Sequence, residues 1–453
     1  MQTYDIVIVG GGPGGYTAAS RAAALGKKTA LVEAADLGGT CLNRGCIPSK
    51  TYLRHAEAYR EVLHAGQFGI ETGEIRFSYD SMLKRKNDVI QTLRGGVASL
   101  MKAGKIDVMA GWGTIHPDLT VSVESAGTKT VIQGKKIIAA MGSTPAVPPI
   151  KGIEQASYHT SDTIFDMDRM PERLTIIGAG YIGVEFASIY AAFGVEVTLV
   201  EMADRIIPLE DSDAGDELKR TLLDQNVTIL TNTAVEEIKD GTNTVINKDG
   251  SRSVLEADVL LISTGRRANL QALKELDLEK DGPYVRTNKA MQTSHPDIYA
   301  IGDLAGGWQL AHAASAEGTI AAEHASGRTP NINMQLIPRC IYTYPEVASV
   351  GFSEAELLKE GRAYKTSRTP LRINGKSLTA GNTKGFMKLF SDEKYGEILG
   401  AVLVGPHVTE MIAEPEAFMQ LEGTLEEWKA MVHPHPTLSE SLHDTAVSLL
   451  NKL

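Results

Sequence analysis

Two of the three cysteines in the 453-residue chain lie five positions apart, in the segment GGTCLNRGCIPSK (38–50). Zinc usually takes four ligands and this segment offers two, so no metal site is predicted. Residues five apart in a regular helix are about 8.6 Å apart at Cα, whereas a disulfide tolerates roughly 7 Å. If Cys41 and Cys46 bond, the backbone between them cannot be regular helix, and Gly45 is best able to absorb the distortion. The pair is therefore either inert structural thiols or a strained, easily reduced catalytic disulfide.

Length, composition and charge narrow the class of protein. At 453 residues the chain is too long for one ordinary core, so roughly two to four domains are expected. The net charge of −11 argues against nucleic-acid binding, because basic residues supply most of the affinity for phosphates. No apolar run approaches the roughly 20 residues of a membrane span, and the opening MQTYDIVIVGGG predicts a strand with no room for a targeting segment. Three cysteines are typical of a reducing compartment, so we expect a cytoplasmic protein.

A repeat at an offset of 168 residues is the second feature that predicts chemistry. IVGGGPGGYTAASRAAALGKKTALVE (8–33) aligns without a gap with IIGAGYIGVEFASIYAAFGVEVTLVE (176–201), and each copy predicts a strand, a glycine turn, a helix and a second strand. The glycines let a pyrophosphate approach the helix N-terminus, and the closing acid can accept a hydrogen bond from a ribose hydroxyl. The candidate cofactor-binding residues are Gly10, Gly12, Gly15 and Glu33 in the first copy and Gly178, Gly180, Gly183 and Glu201 in the second.

The duplication favours two bound dinucleotides over a pair of ordinary tight turns, because both copies follow an apolar strand and carry the acid at the same distance. Glu201 would repel a 2′-phosphate, so the second copy is predicted to bind NAD rather than NADP. Leu209 stands at the position that corresponds to Cys41, so only the first copy carries thiols. The first copy is therefore expected to hold the cofactor that exchanges electrons with them, for which a flavin is the natural choice.

These motifs resemble the flavin disulfide reductases, and within that family the dihydrolipoamide dehydrogenase branch. The resemblance covers essentially the whole chain and is carried by GGGPGGYTAA, GGTCLNRGCIPSK, GAGYIGVEFAS, LLISTGRRAN, IYAIGDLAGGWQLAHAASAEG, YTYPEVASVG, GPHVTEMIAE and HPHPTLSES. It implies reoxidation of protein-bound dihydrolipoamide by NAD through FAD and a Cys41/Cys46 redox disulfide, within a 2-oxo acid dehydrogenase, acetoin or glycine-cleavage complex. The alternatives are a related NAD(P)H-dependent reductase of another disulfide or a metal ion, and a flavoprotein that mainly serves as a scaffold.

The resemblance also implies an architecture and partners. It implies an α/β fold with two Rossmann-like dinucleotide-binding domains and a C-terminal α+β dimerisation domain. The expected boundaries are 1–143 for the FAD-binding domain, 144–266 for the NAD-binding domain, 267–334 for a central domain that completes the FAD site, and 335–453 for the dimerisation domain. The implied partners are a second copy of the chain and a lipoyl-bearing carrier protein or acyltransferase core, with no nucleic acid and no membrane.

Roles for the residues around the thiols follow from the same resemblance. Cys41 is expected to exchange with the substrate sulfurs, and Cys46 to face the flavin as the charge-transfer thiolate. Lys50 and Glu185 match an ion pair beside the flavin N5, where positive charge would stabilise the reduced flavin. A solvated lysine and a surface glutamate are the alternatives, although Glu185 lies in an apolar helix sequence.

The C-terminal segment HPHPTLSES (433–441) supplies the candidate base. A histidine with an ordinary pKa near 6.5 can exchange a proton with a thiol at neutral pH. The resemblance implies that His435 is this base, that Glu440 orients it and that His433 supports it, with each site borrowing its base from the other chain of a dimer. The alternative is a capping box formed by Thr437 and Glu440, which would make both residues structural.

Five further cofactor-binding residues are implied by the resemblance, besides Tyr181, which is expected to cover the nicotinamide pocket or to pack on the sheet. Asp303 is expected to bind the ribityl or phosphate portion of the flavin. The others are Gly142, Gly265 and the pair Ala311 and His312.

Two positions depart from the family pattern. Met141 stands where threonine is usual, and Pro415 falls where a helix is expected to continue, which is tolerated only in a first turn or at a kink. Cys340, in IPRCIYTYP, is expected to be a buried spectator on a strand.

Overall fold

The first glycine repeat folds as a parallel βαβ unit and begins a seven-stranded sheet. The computed structural model describes residues 1–452. The helices of this part are α1 (Pro13–Ala24), α2 (Gly39–Asn43), α3 (Cys46–Leu63) and α4 (Tyr79–Ala103). The strands are β1 (Gln2–Val9), β2 (Thr29–Glu33), β3 (Asp107–Ala110), β4 (Trp112–Ile115), β5 (Thr120–Ser125) and β6 (Thr128–Ala139). They lie in the order β3-β2-β1-β6-β5-β4. Strands β3, β2, β1 and β6 are parallel, which matches the continuous burial of β1 from Ile6 to Val9.

The second glycine repeat builds a separate parallel sheet. Its helices are α5 (Tyr181–Ala192) and α6 (Ser212–Asp224), and its strands are β7 (Ser143–Pro145), β8 (His159–Thr160), β9 (Arg173–Ile177), β10 (Glu196–Val200), β11 (Thr228–Leu230), β12 (Thr233–Lys239), β13 (Asn243–Lys248), β14 (Ser251–Leu255), β15 (Val259–Ile262) and β16 (Arg266–Ala268). The parallel order is β11-β10-β9-β15-β8, and β12, β13 and β14 form an antiparallel sheet. Strands β7 and β16 pair antiparallel, with Ser143 opposite Ala268. The two strands that connect this unit to the rest of the chain therefore lie side by side.

The chain then returns to the first sheet. The elements are β17 (Lys280–Asp281), β18 (Tyr284–Val285), β19 (Ile298–Ala300) and α7 (Ala311–Ala325). Strand β19 pairs parallel with β6, with Ile298 opposite Ile137. Helix α7 packs on α1, where a Cβ on Gly318 would lie 2.4 Å from the carbonyl oxygen of Gly14. The absence of a side chain at position 318 is therefore what lets the two helices approach.

The last part of the chain is an antiparallel sheet covered by short helices. The strands are β20 (Arg339–Ile341), β21 (Glu346–Gly351), β22 (Tyr364–Pro370), β23 (Phe386–Asp392) and β24 (Ile398–Gly405). The helices are α8 (Glu354–Glu360), α9 (Gly375–Thr379), α10 (Val408–Met411), α11 (Ala413–Gln420), α12 (Leu425–Ala430) and α13 (Glu440–Leu450). The sheet order is β20-β21-β24-β23-β22. The whole is a mixed α/β architecture with two glycine-turn units and a C-terminal α+β unit, as the sequence predicts.

Pro415 lies where the helical path is interrupted. Helix α10 ends at Met411, and Pro415 is the third residue of α11. In a first turn the missing N–H would have no helical partner anyway, so the proline is accommodated without a lost hydrogen bond. Within residues 1–452, no helix is long and apolar enough to cross a membrane.

One hydrophobic cluster joins three parts of the chain and fixes helix α3. Tyr52 on α3 packs on Phe165, and Phe165 packs on Phe186 of α5, with ring centroids 5.1 and 5.2 Å apart. The same cluster includes Ile341 and Phe390 of the C-terminal sheet. Helix α3 carries Cys46 at its first residue, so this packing positions the thiol segment against the second unit.

Candidate active site

The backbone between the two cysteines is broken, as their spacing predicts for a bonded pair. Helix α2 ends at Asn43 and α3 begins at Cys46. Between them Gly45 has φ −121° and ψ −102°, outside the helical region. The predicted interruption at Gly45 is confirmed.

Both cysteines are free thiols in this structure, and they differ in acidity. The hydrogen bond from the Cys41 thiol, together with the charge of Lys50, lowers the pKa of Cys46 to about 7. The interaction with Cys46 and burial raise the pKa of Cys41. Cys46 also stands at a helix N-terminus, where the backbone dipoles favour a negative charge. When the reduced pair loses its first proton, the thiolate therefore forms on Cys46 while Cys41 stays protonated.

Lys50 and Glu185 meet beside the thiols. Lys50 lies one helical turn after Cys46, on the same face of α3. Its Nζ is 3.0 and 2.8 Å from the two carboxylate oxygens of Glu185, which lies on α5. The backbone N–H of Tyr342 also donates to Glu185 at 2.9 Å, and Nζ lies 4.3 Å from the centroid of the Tyr342 ring. Glu185 is only 8% exposed, so the structure brings the pair together as a half-buried ion pair rather than as two solvated surface residues.

A single cavity of about 1340 Å³ connects the thiols to both glycine turns. This volume exceeds the roughly 300–1,000 Å³ of an ordinary small-molecule pocket. Of the residues predicted from sequence, those in its lining are Gly10, Gly12, Glu33, Cys41, Cys46, Lys50, Gly142, Gly178, Gly180, Tyr181, Glu185, Glu201, Gly265, Asp303 and Ala311. The predicted residues that lie outside its lining, in the described chain, are Gly15, Gly183, His312, His433, His435 and Glu440.

The geometry of both glycine turns suits close approach by a ligand. Gly10 and Gly178 have φ of +107° and +101°, which favours glycine. A Cβ on Gly15 would lie 1.8 Å from the carbonyl oxygen of Gly10. A Cβ on Gly183 would lie 1.9 Å from that of Gly178. Gly15 and Gly183 therefore have a packing role: the absence of a side chain lets each helix lie directly against the turn that precedes it.

Both helices that follow the turns present free N-termini to the cavity. Gly12 and Gly180 are the N-cap residues of α1 and α5, and neither helix has a side-chain cap. Both caps line the cavity. Uncapped N–H groups at the end of a 12-residue helix suit a pyrophosphate. The residues present therefore fit two dinucleotides.

The two acids at the ends of β2 and β10 hold the turns in the same way. Glu33 accepts from the N–H groups of Gly11 at 2.6 Å and Ala35 at 2.7 Å. Glu201 accepts from Ala179 at 2.7 Å and Ala203 at 2.8 Å. Each carboxylate is thus fixed on the cavity wall, where a ribose hydroxyl would reach it.

The predicted base and its orienting acid are in contact, away from the cavity of their own chain. His435 Nδ1 lies 2.8 Å from Glu440 Oε1, and the His435 side chain is 79% exposed. The N–H of Thr437 and His435 both lower the pKa of Glu440. Helix α13 begins at Glu440 with Ser439 as its cap. Thr437 is therefore not the N-cap that the alternative required, although its N–H donates to Glu440 at 2.7 Å.

The neighbouring histidine and two other predicted residues have structural partners. The side chain of His433 is buried, and its Nε2 lies 2.8 Å from Glu414. The His312 ring contacts the carbonyl oxygen of Pro338 at 2.7 Å instead of the cavity. Asp303 is held by the hydroxyl of Ser143 at the cavity wall.

Cys340 and Met141 are cavity features that the sequence did not place. Cys340 is half-buried on β20 and lines the cavity, so it is more accessible than expected, while its role as a spectator stays a prediction. Burial raises the pKa of its thiol to about 12, which keeps it protonated. Met141 also lines the cavity, and its carbonyl oxygen accepts from Asn269 at 3.0 Å.

Sequence reasoning missed a polar cluster behind the second turn. Glu210 is 3% exposed and accepts from Tyr181, Arg339 and Ser349. The only signals were charged residues in two otherwise ordinary segments, the three acids of PLEDSD and the arginine of IPRCIYTYP.

Comparison with known families agrees with this geometry. The profile of the pyridine nucleotide-disulphide oxidoreductases matches residues 4–318, and the profile of their dimerisation domain matches residues 337–446. The chain belongs to the pyridine nucleotide-disulphide oxidoreductase family. The predicted class, an oxidoreductase of this family with FAD and NAD as cofactors, is confirmed.

Relatives match over almost the full length. A dihydrolipoyl dehydrogenase of Bacillus subtilis is 41% identical over 462 residues, with 98% of each chain covered. The crystal structure of LpdA from Mycobacterium tuberculosis has a TM-score of 0.91 at 26% identity, covering 99% of this chain and 100% of that one. The Cu(II) complex of the HOCl-induced flavoprotein disulfide reductase RclA from Escherichia coli has a TM-score of 0.88 at 28% identity, with 99% and 100% covered.

Proposed function

We propose that this chain oxidises dihydrolipoamide on a partner protein and passes the electrons to NAD. The observation that carries the proposal is the single cavity in which the thiol pair, the Lys50–Glu185 ion pair and both glycine turns meet. Relatives named dihydrolipoyl dehydrogenase, 36% and 41% identical over 98% of the chain, support the choice of substrate.

The thiol chemistry balances within the two cysteines. In the oxidised chain Cys41 and Cys46 form a disulfide. A substrate thiolate attacks the Cys41 sulfur, which forms a mixed disulfide and releases Cys46 as a thiolate. The second substrate thiolate then attacks the substrate sulfur that is bonded to Cys41. This step closes the substrate disulfide and releases Cys41 as a thiolate. The substrate thus loses two electrons and two thiol protons. Because the pKa of Cys46 is lowered to about 7, Cys46 is a good leaving group at neutral pH.

FAD bound at the first glycine turn would carry the electron pair onward from the cysteines to NAD at the second. The residues of the chain supply the electrostatics. The Lys50 ammonium lowers the pKa of Cys46, and Glu185 fixes that ammonium with two contacts of 3.0 Å or less. Positive charge is therefore held in place before the reaction, where it costs no reorganisation.

We further propose that the active species is a homodimer in which His435 serves the partner's thiols. His435 is exposed and oriented by Glu440, and the matched dimerisation domain contains both residues. The pair lies outside the cavity of its own chain, among the described residues. His435 would take the thiol proton during attack, and Glu440 would stabilise the imidazolium.

Hybrid dimers test this arrangement. His435→Gln and Cys41→Ser chains are each expected to be inactive. After random exchange about half of the dimers are hybrid, each with one intact site, so about a quarter of wild-type activity is expected. The measurement is dihydrolipoamide-dependent NADH formation, with hybrid formation checked by native mass spectrometry. Zero recovery in confirmed hybrids would assign His435 to its own chain.

The lipoyl carrier, the particular complex and the cytoplasmic location stay predictions. Oxidation of free dihydrolipoamide and of a dihydrolipoyl carrier domain should be measured with NAD or NADP, and reduction of glutathione disulfide and Cu(II) with NADH or NADPH. The proposal expects the lipoyl substrates with NAD to be the fastest. Faster turnover of glutathione disulfide or Cu(II) would favour the alternative reductase, and binding to an acyltransferase core without turnover would favour the scaffold.

A further inference from the structure

Glu210 stands at the seam between the second glycine unit and the C-terminal sheet. Its Oε1 accepts from the Tyr181 hydroxyl and, at 3.2 Å, from Arg339 Nε on β20. Its Oε2 accepts from Ser349 on β21 at 2.5 Å. The side chains of Arg339 and Glu210 are 5% and 1% exposed. This carboxylate is therefore fully partnered and shielded from solvent.

The next residue locks the same segment to another strand. Lys388 of β23 is 5% exposed and lies 3.1 Å from Asp211, which is the N-cap of α6. Asp213 and Glu354 complete its partners at 2.9 and 2.8 Å. Breaking one partner of a buried ion pair is costly, because a charge is left without compensation. The two adjacent buried ion pairs, Glu210–Arg339 and Asp211–Lys388, therefore hold Glu210 in place even when residues of the cavity wall move.

Tyr181 is the cavity residue that this fixed carboxylate holds. It directly follows Gly180 at the second turn, and Glu185 lies one helical turn further along α5 on the same face. Both side chains line the cavity. A dinucleotide that binds at Gly180 and extends toward the Lys50–Glu185 pair must pass the Tyr181 ring. The ring therefore has to turn aside, away from its hydrogen bond to Glu210.

We propose that Glu210 is a positioning residue that holds Tyr181 across this path and so weakens the binding of NAD. The inference rests on the proposed use of NAD at the second turn. Hydrogen bonds to an ionised acceptor are stronger than neutral ones. Moving the Tyr181 ring aside breaks such a bond, and the free energy this costs opposes NAD binding. Removal of this tether, the hydrogen bond between Tyr181 and Glu210, should tighten NAD binding without changing the groups that react.

The test is the dissociation constant of NAD for the oxidised, FAD-loaded protein, measured by isothermal titration calorimetry. Tyr181→Phe keeps the ring and removes the hydroxyl, and it leaves Glu210 paired with Arg339. It is expected to lower the dissociation constant about tenfold, since a hydrogen bond to a charged group no longer has to be broken. In steady state the KM for NAD should fall while kcat changes little. Glu210→Gln should act in the same direction.

Non-additivity shows whether Glu210 acts through Tyr181. The double variant should have the NAD affinity of Tyr181→Phe alone. Tyr190→Phe is the matched control, because it removes a buried hydroxyl of the same helix that has no partner among the described residues. It should leave the affinity unchanged.

The outcomes separate this inference from the proposed function. Unchanged affinity in Tyr181→Phe, with normal binding to the wild type, overturns the tether and leaves the proposed function standing. No NAD binding to the wild type overturns both. If Glu210→Gln fails to fold, Tyr181→Phe alone decides.

Discussion

The two glycine repeats have nearly the same backbone and different surroundings. Helices α1 and α5 each have 12 residues and begin after an uncapped glycine. The closing acids accept backbone N–H groups at 2.6 and 2.7 Å in the first unit and at 2.7 and 2.8 Å in the second. The shared part is thus set by steric limits on glycine and by the satisfaction of backbone donors, neither of which depends on what each unit does.

The units diverge at the positions that carry chemistry. Cys41 of the first unit corresponds to Leu209 of the second, which is 71% exposed. Glu185 of the second unit corresponds to Thr17 of the first, and only Glu185 reaches Lys50. The redox site therefore combines the two cysteines and Lys50 of the first unit with Glu185 of the second. The two units have equivalent dinucleotide-binding turns, and single residues beside each turn determine its separate role.

The largest expected effect comes from removing the feature that only the first unit has. Cys41→Ser and Cys46→Ser should each lower dihydrolipoamide-dependent turnover by about a thousandfold or more, as for loss of a covalent nucleophile. Their spectra should differ. Cys41→Ser should show a long-wavelength charge-transfer band without reductant, because Cys46 stays a thiolate, whereas Cys46→Ser should show none. Cys340→Ser is the control and should keep wild-type turnover.

The band also has an expected pH dependence. The pKa of Cys46 is lowered to about 7, so its thiolate, and with it the band, should grow as the pH rises through about 7 in the two-electron-reduced protein. Identical spectra of the two serine variants would contradict the assignment of roles.

A smaller effect is expected from breaking the contact that joins the two repeats. Lys50→Gln should lower kcat about a hundredfold, the usual cost of losing one preorganised electrostatic partner. Since Lys50 lowers the pKa of Cys46, the midpoint of the charge-transfer band should move to higher pH. Arg54→Gln is the matched control on the same helix, because Arg54 pairs with Glu57 at 3.2 Å on an exposed surface. A midpoint that stays fixed in Lys50→Gln would separate the lysine from the thiolate.

Local spacing explains what could be predicted from the sequence. The glycine turns, the acids at the strand ends and the interruption at Gly45 each depend on residues within one short segment. Their geometry follows from backbone sterics and from the length of a helical turn. The ion pair of Lys50 with Glu185, 135 positions away, was reachable only through the family resemblance.

The remaining features arise from how distant segments pack together. Glu210 and Arg339 are 129 positions apart, and neither lies in a periodic pattern that predicts a partner. On β20, Arg339 and Ile341 are buried while Cys340 between them is half-buried. Which face of that strand meets the cavity depends on the position of the whole sheet, so the sequence could not place Cys340.

The smallest expected effect compares the two acids that hold the turns alike. Glu201→Ala should reduce the preference for NADH over NADPH by about tenfold, because one carboxylate no longer repels a 2′-phosphate. Glu33→Ala makes the same change in the first unit, so it should leave this preference unchanged and instead weaken retention of FAD. The measurements are kcat/KM with each nucleotide, and the fraction of flavin kept after gel filtration. The two variants lose the same pair of backbone contacts, so a general loosening of the turn would affect both observables in both proteins. A nucleotide preference that falls equally in the two variants would show that turn stability, and not the charge of Glu201, sets specificity.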